Sequence, residues 1–185
     1  MELHYKARSS ERKCEANRLR KDGKIPAVIY NRNEPGETIS IERDAFTSIL
    51  RTIKQGRLPT TVFTLMGESS KRRAILKDIQ YNPVNYEVIH LDFEELVEDR
   101  PINVKVPVEF TGIADSAGLK LGGVLRQVIR HVRINCLPKD IPDHFQVDVR
   151  DMVMADVKRI KDLDIPKTVR PLVNMNEVIV VIAKR

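Results

Sequence analysis

Short segments in which apolar and polar residues alternate dominate the first half of the chain, and this alternation predicts β-strands. β-branched and aromatic residues recur in them, and turn-forming Gly, Asn and Pro lie between them. The predicted strands cover residues 3–9, 25–30, 38–42, 60–66, 72–83 and 86–94. We expect 60–66 and 72–83 to form a hairpin.

Segment 86–94, YEVIHLDFE, shows the strongest alternation. Its apolar side is expected to face the core and comprises Ile89, Leu91 and Phe93. On the other side Val88 accompanies His90 and Asp92. The strand would therefore place an imidazole and a carboxylate next to each other on one face.

Two segments show the 3.6-residue period of a helix instead. The first is predicted to begin at Ser10, whose hydroxyl suits an N-cap, and to run to Asp22 with a thin apolar stripe. The second, 43–54, has a wider stripe and is predicted to pack on the core through Ala45, Phe46, Ile49, Leu50 and Ile53.

The charged cluster at 94–100, EELVEDR, interrupts the strand pattern, so we expect a domain boundary that divides the chain into 1–96 and 97–185. The second part reads as β-rich, with strands expected within 101–112, 124–138, 141–150 and 178–184. Its glycine-rich segment 116–123 lacks the G-K-[ST] of a phosphate loop and is expected to be a bend between strands. The chain is thus mainly β with a few helices.

Positive charge is concentrated near the N-terminus. The net charge is +6 and the pI is about 9.4. Residues 1–32 alone hold nine Lys or Arg against four Asp or Glu, and the remainder is close to balanced. Such a surplus attracts polyanions and has no bearing on the fold. Nucleic acid is therefore the expected class of partner, although a charge run is often only a solvated surface.

The stretch Arg18–Tyr30, RLRKDGKIPAVIY, joins the basic end of the first predicted helix to a strand. Gly23 suits a helix C-cap because glycine adopts the left-handed conformation without steric cost. Pro26 lacks a backbone donor and favours an extended or edge strand. Arginine suits phosphates and base edges because its planar fork forms paired hydrogen bonds. The stretch is either a phosphate-binding element or an ordinary helix-to-strand junction.

Several classes of protein are disfavoured by what the sequence lacks. Cys14 and Cys136 are far apart and form no C-x-x-C pair, which argues against a cysteine zinc site and for a reducing compartment. The N-terminus has no apolar signal region, and the apolar run 178–183 is too short to span a bilayer. We expect a soluble cytoplasmic protein with no metal, cofactor, small-molecule substrate or membrane contact.

His90 and Asp92 leave an enzymatic alternative open. Such a pair can orient an imidazole for catalysis, but no G-x-S-x-G or reactive-cysteine context supplies a nucleophile. The pair can equally hydrogen-bond a ligand. RNA cleavage that depends on His90 is one alternative to RNA binding, and a protein-interaction module centred on 97–185 is another.

Six motifs in order carry a family resemblance. With RLRKDGKIPAVIYN, ILKDIQYNPV and IHLDFEEL, the first half resembles the bacterial 5S-rRNA-binding protein of the large ribosomal subunit, family number twenty-five. With VPVEFTG, SAGLKLGGVL and CLPKDIP, the second half is similar to the extra domain of its longer form, the general stress protein CTC type. The resemblance covers nearly the whole chain.

The resemblance implies a fold and a role. Residues 1–96 would form a small antiparallel β-barrel with helices that binds an internal loop of 5S rRNA, and 97–185 would form a β-rich domain. The protein would be a structural, non-enzymatic part of the cytoplasmic ribosome, with neighbouring ribosomal proteins as further candidate partners. Many long members end in an acidic tail, whereas this chain stops at Lys184-Arg185.

The resemblance also implies the contact residues. Arg20, Tyr30, His90 and Asp92 match RNA-contact positions of the family, Arg8 corresponds to an upstream arginine, and Arg18 would lie near the RNA. Together with the charge pattern, this predicts phosphate neutralisation by Arg8, Arg18, Arg20, Lys21 and Lys24. Discriminating hydrogen bonds in the wide minor groove of RNA would come from Tyr30, His90 and Asp92. Because phosphate repels Asp92, that carboxylate should accept from a base amino group, a 2′-OH or His90.

Overall fold

The computed structural model of the chain describes residues 1–8, 13–31, 34–67 and 70–184. They divide into two compact units, Met1–Val97 and Glu98–Arg185. None of the helices in these described ranges is long and apolar enough to cross a membrane.

Six strands of the first unit close into a barrel. They are β1 (Glu2–Ala7), β2 (Lys24–Asn31), β3 (Glu34–Glu42), β4 (Val62–Met66), β5 (Lys71–Tyr81) and β6 (Val88–Glu95). Around the barrel their order is β1, β3, β2, β6, β5, β4. The predicted barrel with helices is confirmed.

The barrel is mixed rather than wholly antiparallel, which corrects the prediction in one respect. β1 pairs with β4, and β2 with β6, in parallel, whereas the other neighbouring pairs are antiparallel. The cause is helix α1 (Lys13–Lys21), which connects β1 to β2. A crossover helix lets two successive strands run in the same direction, so the strand directions cannot alternate around the whole barrel.

The two helices end where the sequence predicts but differ in detail. Gly23 has a φ of +72°, as a left-handed C-cap requires. Helix α2 (Arg43–Thr52) buries Phe46 completely, whereas Ala45, predicted to face the core, is exposed. The predicted N-cap of the first helix, Ser10, lies outside the described residues.

Aromatic rings form the centre of the barrel core. Phe63 lies between the other two rings, with centroids 6.5 Å from Phe46 and 5.7 Å from Phe93, the latter nearly edge-on at 78°. The inward residues of β2 alternate with outward ones and are Ile25, Ala27 and Ile29, each almost completely buried. This alternation fixes which residues of β2 and β6 face outward.

A bulge in β6 reverses one prediction. Val88 is 7% exposed and belongs to the core, whereas Ile89 is only partly buried. On β5, Gln80 pairs with His90 but Tyr81 pairs with Val88, so Ile89 is an extra residue. An extra residue turns the chain locally and changes which side chain faces inward.

The second unit contains seven further strands in two sheets. They are β7 (Ile102–Thr111), β8 (Val124–Gln127), β9 (His131–Cys136), β10 (Phe145–Asp148), β11 (Val157–Arg159), β12 (Arg170–Pro171) and β13 (Val178–Ala183). One sheet has the order β10-β7-β9-β12 and the other β11-β13-β8. The glycine-rich segment forms a short helix, α3 (Ala117–Lys120), and a turn, so it links β7 to β8 as a bend.

Candidate nucleic-acid interface

β2 and β6 lie side by side, so the two predicted edges of the site meet. Their parallel register sets Val28 beside Asp92 and Tyr30 beside Glu94. The residues between these positions face inward and are buried: Ala27, Ile29, Leu91 and Phe93. Because strand side chains alternate between faces, Val28, Tyr30, Asp92 and Glu94 share the outer face.

The basic end of α1 reaches the same strand through Arg20. Its Nε donates to the carbonyl oxygen of Ile89 at 3.1 Å, and its Nη1 donates to Oδ1 of Asn17 at 3.0 Å. Ile89 is the bulged residue of β6 and is unpaired in the β5–β6 register. The bulge therefore supplies the acceptor that holds the arginine beside His90.

Arg43 fixes the end of α1 from the other side. Its Nη2 donates to the carbonyl oxygen of Arg20 at 2.6 Å, and its Nη1 lies 3.3 Å from the carboxylate of Glu87. The backbone N–H of Arg43 also donates to the carbonyl oxygen of Gly23 at 3.0 Å. One residue at the start of α2 thus ties the α1 end to the loop that precedes β6. Sequence analysis missed it, because an arginine in a first helical turn resembles a solvated charge.

The loop from Asn82 to Glu87 is a second feature that sequence analysis missed. It presents Val84 and Tyr86 with 86% and 78% exposure, and Tyr86 has a left-handed φ of 56°. The side chains of Asn82 and Asn85 hydrogen-bond the backbone N–H groups of Val84 and Glu87. Two asparagines around a proline are a turn signal that marks this loop in the sequence.

His90 and Asp92 form a close pair on β6. Nδ1 of His90 lies 2.7 Å from Oδ1 of Asp92, and the two side chains are 23% and 34% exposed. Nδ1 is buried and has no well-aligned hydrogen-bond partner among the described residues, so the exposed part of the ring consists of its other atoms. The pair can therefore offer a ring nitrogen and a carboxylate oxygen to one ligand.

Carboxylates surround the hydroxyl of Tyr30. Asp78 on β5 pairs in register with Asp92, and Glu94 lies beside Tyr30 and forms an ion pair with Lys77. Burial raises the pKa of Tyr30 above its usual value, and the negative charges of Glu94, Asp92 and Asp78 raise it further. The phenol stays protonated at neutral pH, so it is a hydrogen-bond donor near these carboxylates.

The remaining predicted cations lie on other parts of the first unit. Arg8 follows β1 and donates from Nε to the carbonyl oxygen of Ile39 at 3.0 Å. Arg18 is 86% exposed and lies 4.0 Å from Asp22, and Lys21 is exposed at the helix end.

Lys24 lies at the start of β2, away from Tyr30. It lines a cavity of about 340 Å³ with neighbours on β1 and β3. It lies six residues from Tyr30 along β2, which is roughly 20 Å in a strand. The structure thus brings Arg20, His90 and Asp92 together at β6, with Tyr30 on the adjacent strand near Asp92, and places Lys24 at the opposite end of β2 from Tyr30.

Metal ligation has no basis in the described ranges. They contain no group of three or more His, Cys, Asp or Glu side chains that could hold an ion. Cys14 is exposed and Cys136 is buried, and both are free thiols.

Comparison with known proteins defines the family. The model described as "Ribosomal L25p family" matches residues 3–93, and that described as "Ribosomal protein TL5, C-terminal domain" matches residues 101–185. The chain is 40% identical to the "Large ribosomal subunit protein bL25" of Chlamydia muridarum and of Chlamydia abortus, over 100% of both chains. Its identity to the protein of that name from Chlamydia pneumoniae is 39%, again over 100% of both chains.

A barrel and a β-rich unit that both match ribosomal domains define a structural protein of the ribosome and not an enzyme. The chain belongs to the ribosomal L25p family, in its two-domain form, and is a component of the large ribosomal subunit. The enzymatic alternative for His90 and Asp92 is therefore wrong.

Proposed function

We propose that the first unit binds 5S rRNA through the outer face of β2 and β6 and recognises an irregular internal loop by phosphate and minor-groove contacts. The observation that supports this most directly is that Arg20 of α1 reaches β6 beside the His90–Asp92 pair, while Tyr30 on the neighbouring strand β2 lies opposite Glu94, two residues from Asp92 on the same face. The site functions in the cytoplasm, where bacterial ribosomes assemble.

Charge divides the site into two parts with different tasks. The centre holds Asp78, Asp92 and Glu94, which repel phosphate. Contacts at the centre therefore go to base edges and 2′-hydroxyls, which can donate to carboxylates. The phosphates on either side meet the predicted cations Arg8, Arg18, Arg20 and Lys21, and Lys24 meets phosphate farther from Tyr30.

The central groups complement an RNA minor groove. A-form RNA displays base edges and 2′-hydroxyls in a wide, shallow minor groove, and an internal loop gives that groove an irregular shape. Asp92 accepts from a base amino group or a 2′-OH. The protonated hydroxyl of Tyr30 donates, and the ring of His90 contributes a further polar atom. Phosphate contacts position the protein, and these three groups specify the site.

Affinity measured in a salt series tests the proposal. The full chain is titrated with 5S rRNA and with a fully paired RNA duplex of equal length. We expect tighter binding to 5S rRNA and a steep linear dependence of log K on log salt. Arg20→Ala should weaken 5S binding by roughly 1–3 kcal/mol. Arg51→Ala is the matched control, since Arg51 carries the same charge, lies exposed on α2 of the same unit and is outside the site.

Two outcomes would contradict the proposal. Equal affinity for both RNAs would rule out specific recognition of the internal loop. Equal losses of affinity for Arg20→Ala and Arg51→Ala would show that Arg20 acts only through the net charge of the protein.

The central groups supply a second check. Tyr30→Phe and His90→Ala should lower the preference for 5S rRNA with almost no change in salt slope, whereas Arg18→Ala should reduce the slope by about 1.

A further inference from the structure

One face of the four-stranded sheet in the second unit carries cations on three adjacent strands. Lys105 on β7 lies directly opposite Arg133 on β9, and Asn135, two residues along β9, lies opposite Arg170 on β12. Cross-strand partners point to the same side of a sheet, and Lys105, Arg133 and Arg170 are all exposed. With about 4.8 Å between neighbouring strands, they span roughly 10 Å.

These cations lack the ion pairs that other cations of the unit form. Within residues 98–184, Lys105, Arg133 and Arg170 have no carboxylate in salt-bridge range. The nearest acidic position on this face of β7 is Glu109, four residues from Lys105 or roughly 13 Å along the strand. Its carboxylate lies 3.9 Å from Nε2 of His144. The positive end of the face is therefore not neutralised by the unit itself.

The Lys105–Arg133 pair is unfavourable in the free protein. Like charges directly opposite each other on adjacent strands destabilise a sheet. His131, on the same side of β9 and also exposed, reflects the positive potential. Its pKa is lowered from the usual value by burial and by the charges of Lys105 and Arg130. An anion bound across the three strands would relieve this repulsion.

We propose that the face formed by Lys105, His131, Arg133 and Arg170, the basic sheet face, is a second RNA-binding surface that contacts the phosphate backbone of an RNA duplex. This face lies in the second unit, which contributes no residue to the proposed 5S rRNA site. Binding to phosphates requires no particular base sequence. The hydrogen-bonded side chains of Asn103 and Asn135 form the cross-strand row next to Lys105 and Arg133, with Asn135 opposite Arg170, and offer polar contacts to the sugar–phosphate chain.

RNA fits the basic sheet face better than an acidic protein surface does. Two of its three permanent cations are arginines, whose planar forks match phosphate oxygens. Protein interfaces usually have a core rich in aromatic and apolar residues. Leu172, whose backbone N–H donates to the carbonyl oxygen of Arg133, is an exposed large apolar neighbour at 49% exposure. Charges in a flat polar row suit a backbone of regularly spaced phosphates.

The test compares two triple variants of the full chain that lose equal charge. The first is Lys105→Ala/Arg133→Ala/Arg170→Ala. The control is Lys120→Ala/Lys139→Ala/Arg150→Ala, which removes cations that lie 3.7, 3.7 and 3.8 Å from Asp115, Glu98 and Asp148. Both carry Arg20→Ala and His90→Ala, so that binding by the first unit is equally weakened in the two.

The probe is a fluorescein-labelled RNA duplex of about 20 base pairs without an internal loop, long enough to cross a face of this width. We expect the first triple variant to lower the slope of log K against log salt by about 3, one for each phosphate contact, and the control to leave it nearly unchanged. Equal slopes for the two variants would overturn the proposal. Because both share the same first unit, the result is independent of whether that unit binds 5S rRNA.

Two further measurements keep the result interpretable. Arg133→Lys/Arg170→Lys conserves charge and should retain the full slope, which separates charge from folding. If the triple variant melts early, Arg133→Gln alone should lower the slope by about 1, and an unchanged slope overturns the proposal. If the protein binds a polyglutamate peptide but not the duplex, and the first triple variant loses that binding, the face binds an acidic protein instead.

Discussion

Replacing Arg43 by alanine should destabilise the first unit and weaken RNA binding at its proposed site at the same time. The guanidinium donates to the carbonyl oxygen of Arg20 at 2.6 Å and lies 3.3 Å from Glu87. Alanine removes both contacts and leaves the carbonyl of Arg20 without this donor. The substitution replaces no residue of the predicted RNA-contact set, so any loss of RNA affinity would come from a displaced Arg20.

The expected loss of stability follows from the two contacts. A hydrogen bond from a charged donor contributes about 1.5–3 kcal/mol. The contact with Glu87 adds little, because the Glu87 side chain is 48% exposed and solvent screens such pairs to about 0–1 kcal/mol. We therefore expect Arg43→Ala to lower the free energy of unfolding by about 2–3 kcal/mol.

Tyrosine fluorescence measures the stability of the first unit separately from that of the second. The chain has no tryptophan, and its four tyrosines, Tyr5, Tyr30, Tyr81 and Tyr86, all lie in the first unit. Urea unfolding followed by their emission reports on that unit alone. Affinity for 5S rRNA, measured well below the transition, should fall roughly tenfold if the α1 end shifts by a fraction of an ångström.

Two controls decide whether the reasoning holds. Arg51→Ala on the same helix should change stability by no more than about 0.5 kcal/mol, as exposed substitutions usually do. Glu87→Gln, which removes only the charge, should cost less than about 1 kcal/mol. If Arg43→Ala costs no more than Arg51→Ala, the bond to the carbonyl of Arg20 does not stabilise the unit, and Arg43 does not hold the helix end.

Three other predictions follow from single contacts. The pKa of Tyr30 is raised in the folded protein, so its contribution to stability is present below pH 10 and is lost as the pH rises through the folded pKa. Tyr30→Phe removes this contribution, so the free energy of unfolding of the variant should fall less steeply at alkaline pH. Lys105→Ala should raise the pKa of His131 towards 6.5, as measured by an NMR titration of the imidazole. Gly118→Ala should destabilise the second unit by about 1–3 kcal/mol in calorimetry, because its Cβ would lie 2.9 Å from the backbone of Val153, while the tyrosine transition stays unchanged.

Local patterns in the sequence were sufficient to predict most of the strands and both longer helices. In 25–30 and 43–54 the side that faces the core must be apolar, so the pattern of apolar residues alone shows which side is buried. The prediction of the barrel and of the RNA-contact residues came from the family resemblance, because composition alone indicated only a basic N-terminus. Where residues far apart in sequence decide the geometry, the prediction failed or was silent.

The bulge at Ile89 is the clearest such failure. Strict alternation assigned Ile89 to the core and Val88 to the opposite face, whereas the structure buries Val88 and leaves Ile89 only partly buried. The cause is the pairing of β6 with β5, which shifts between Gln80 and Tyr81. No pattern inside 86–94 reports that shift, because a bulge is set by the partner strand.

The bulge also explains why the sequence could predict which residues belong to the proposed site but not how they are arranged. The carbonyl oxygen of the bulged residue Ile89 accepts from Arg20, and Arg43 then secures the same helix end. The arginine is thus fixed beside His90 by backbone carbonyls, which the identities of neighbouring side chains do not encode. It follows that a substitution restoring regular pairing in β6 would displace Arg20 without altering any predicted contact residue. The position of the bulge is therefore as much a determinant of the proposed RNA site as the arginine itself.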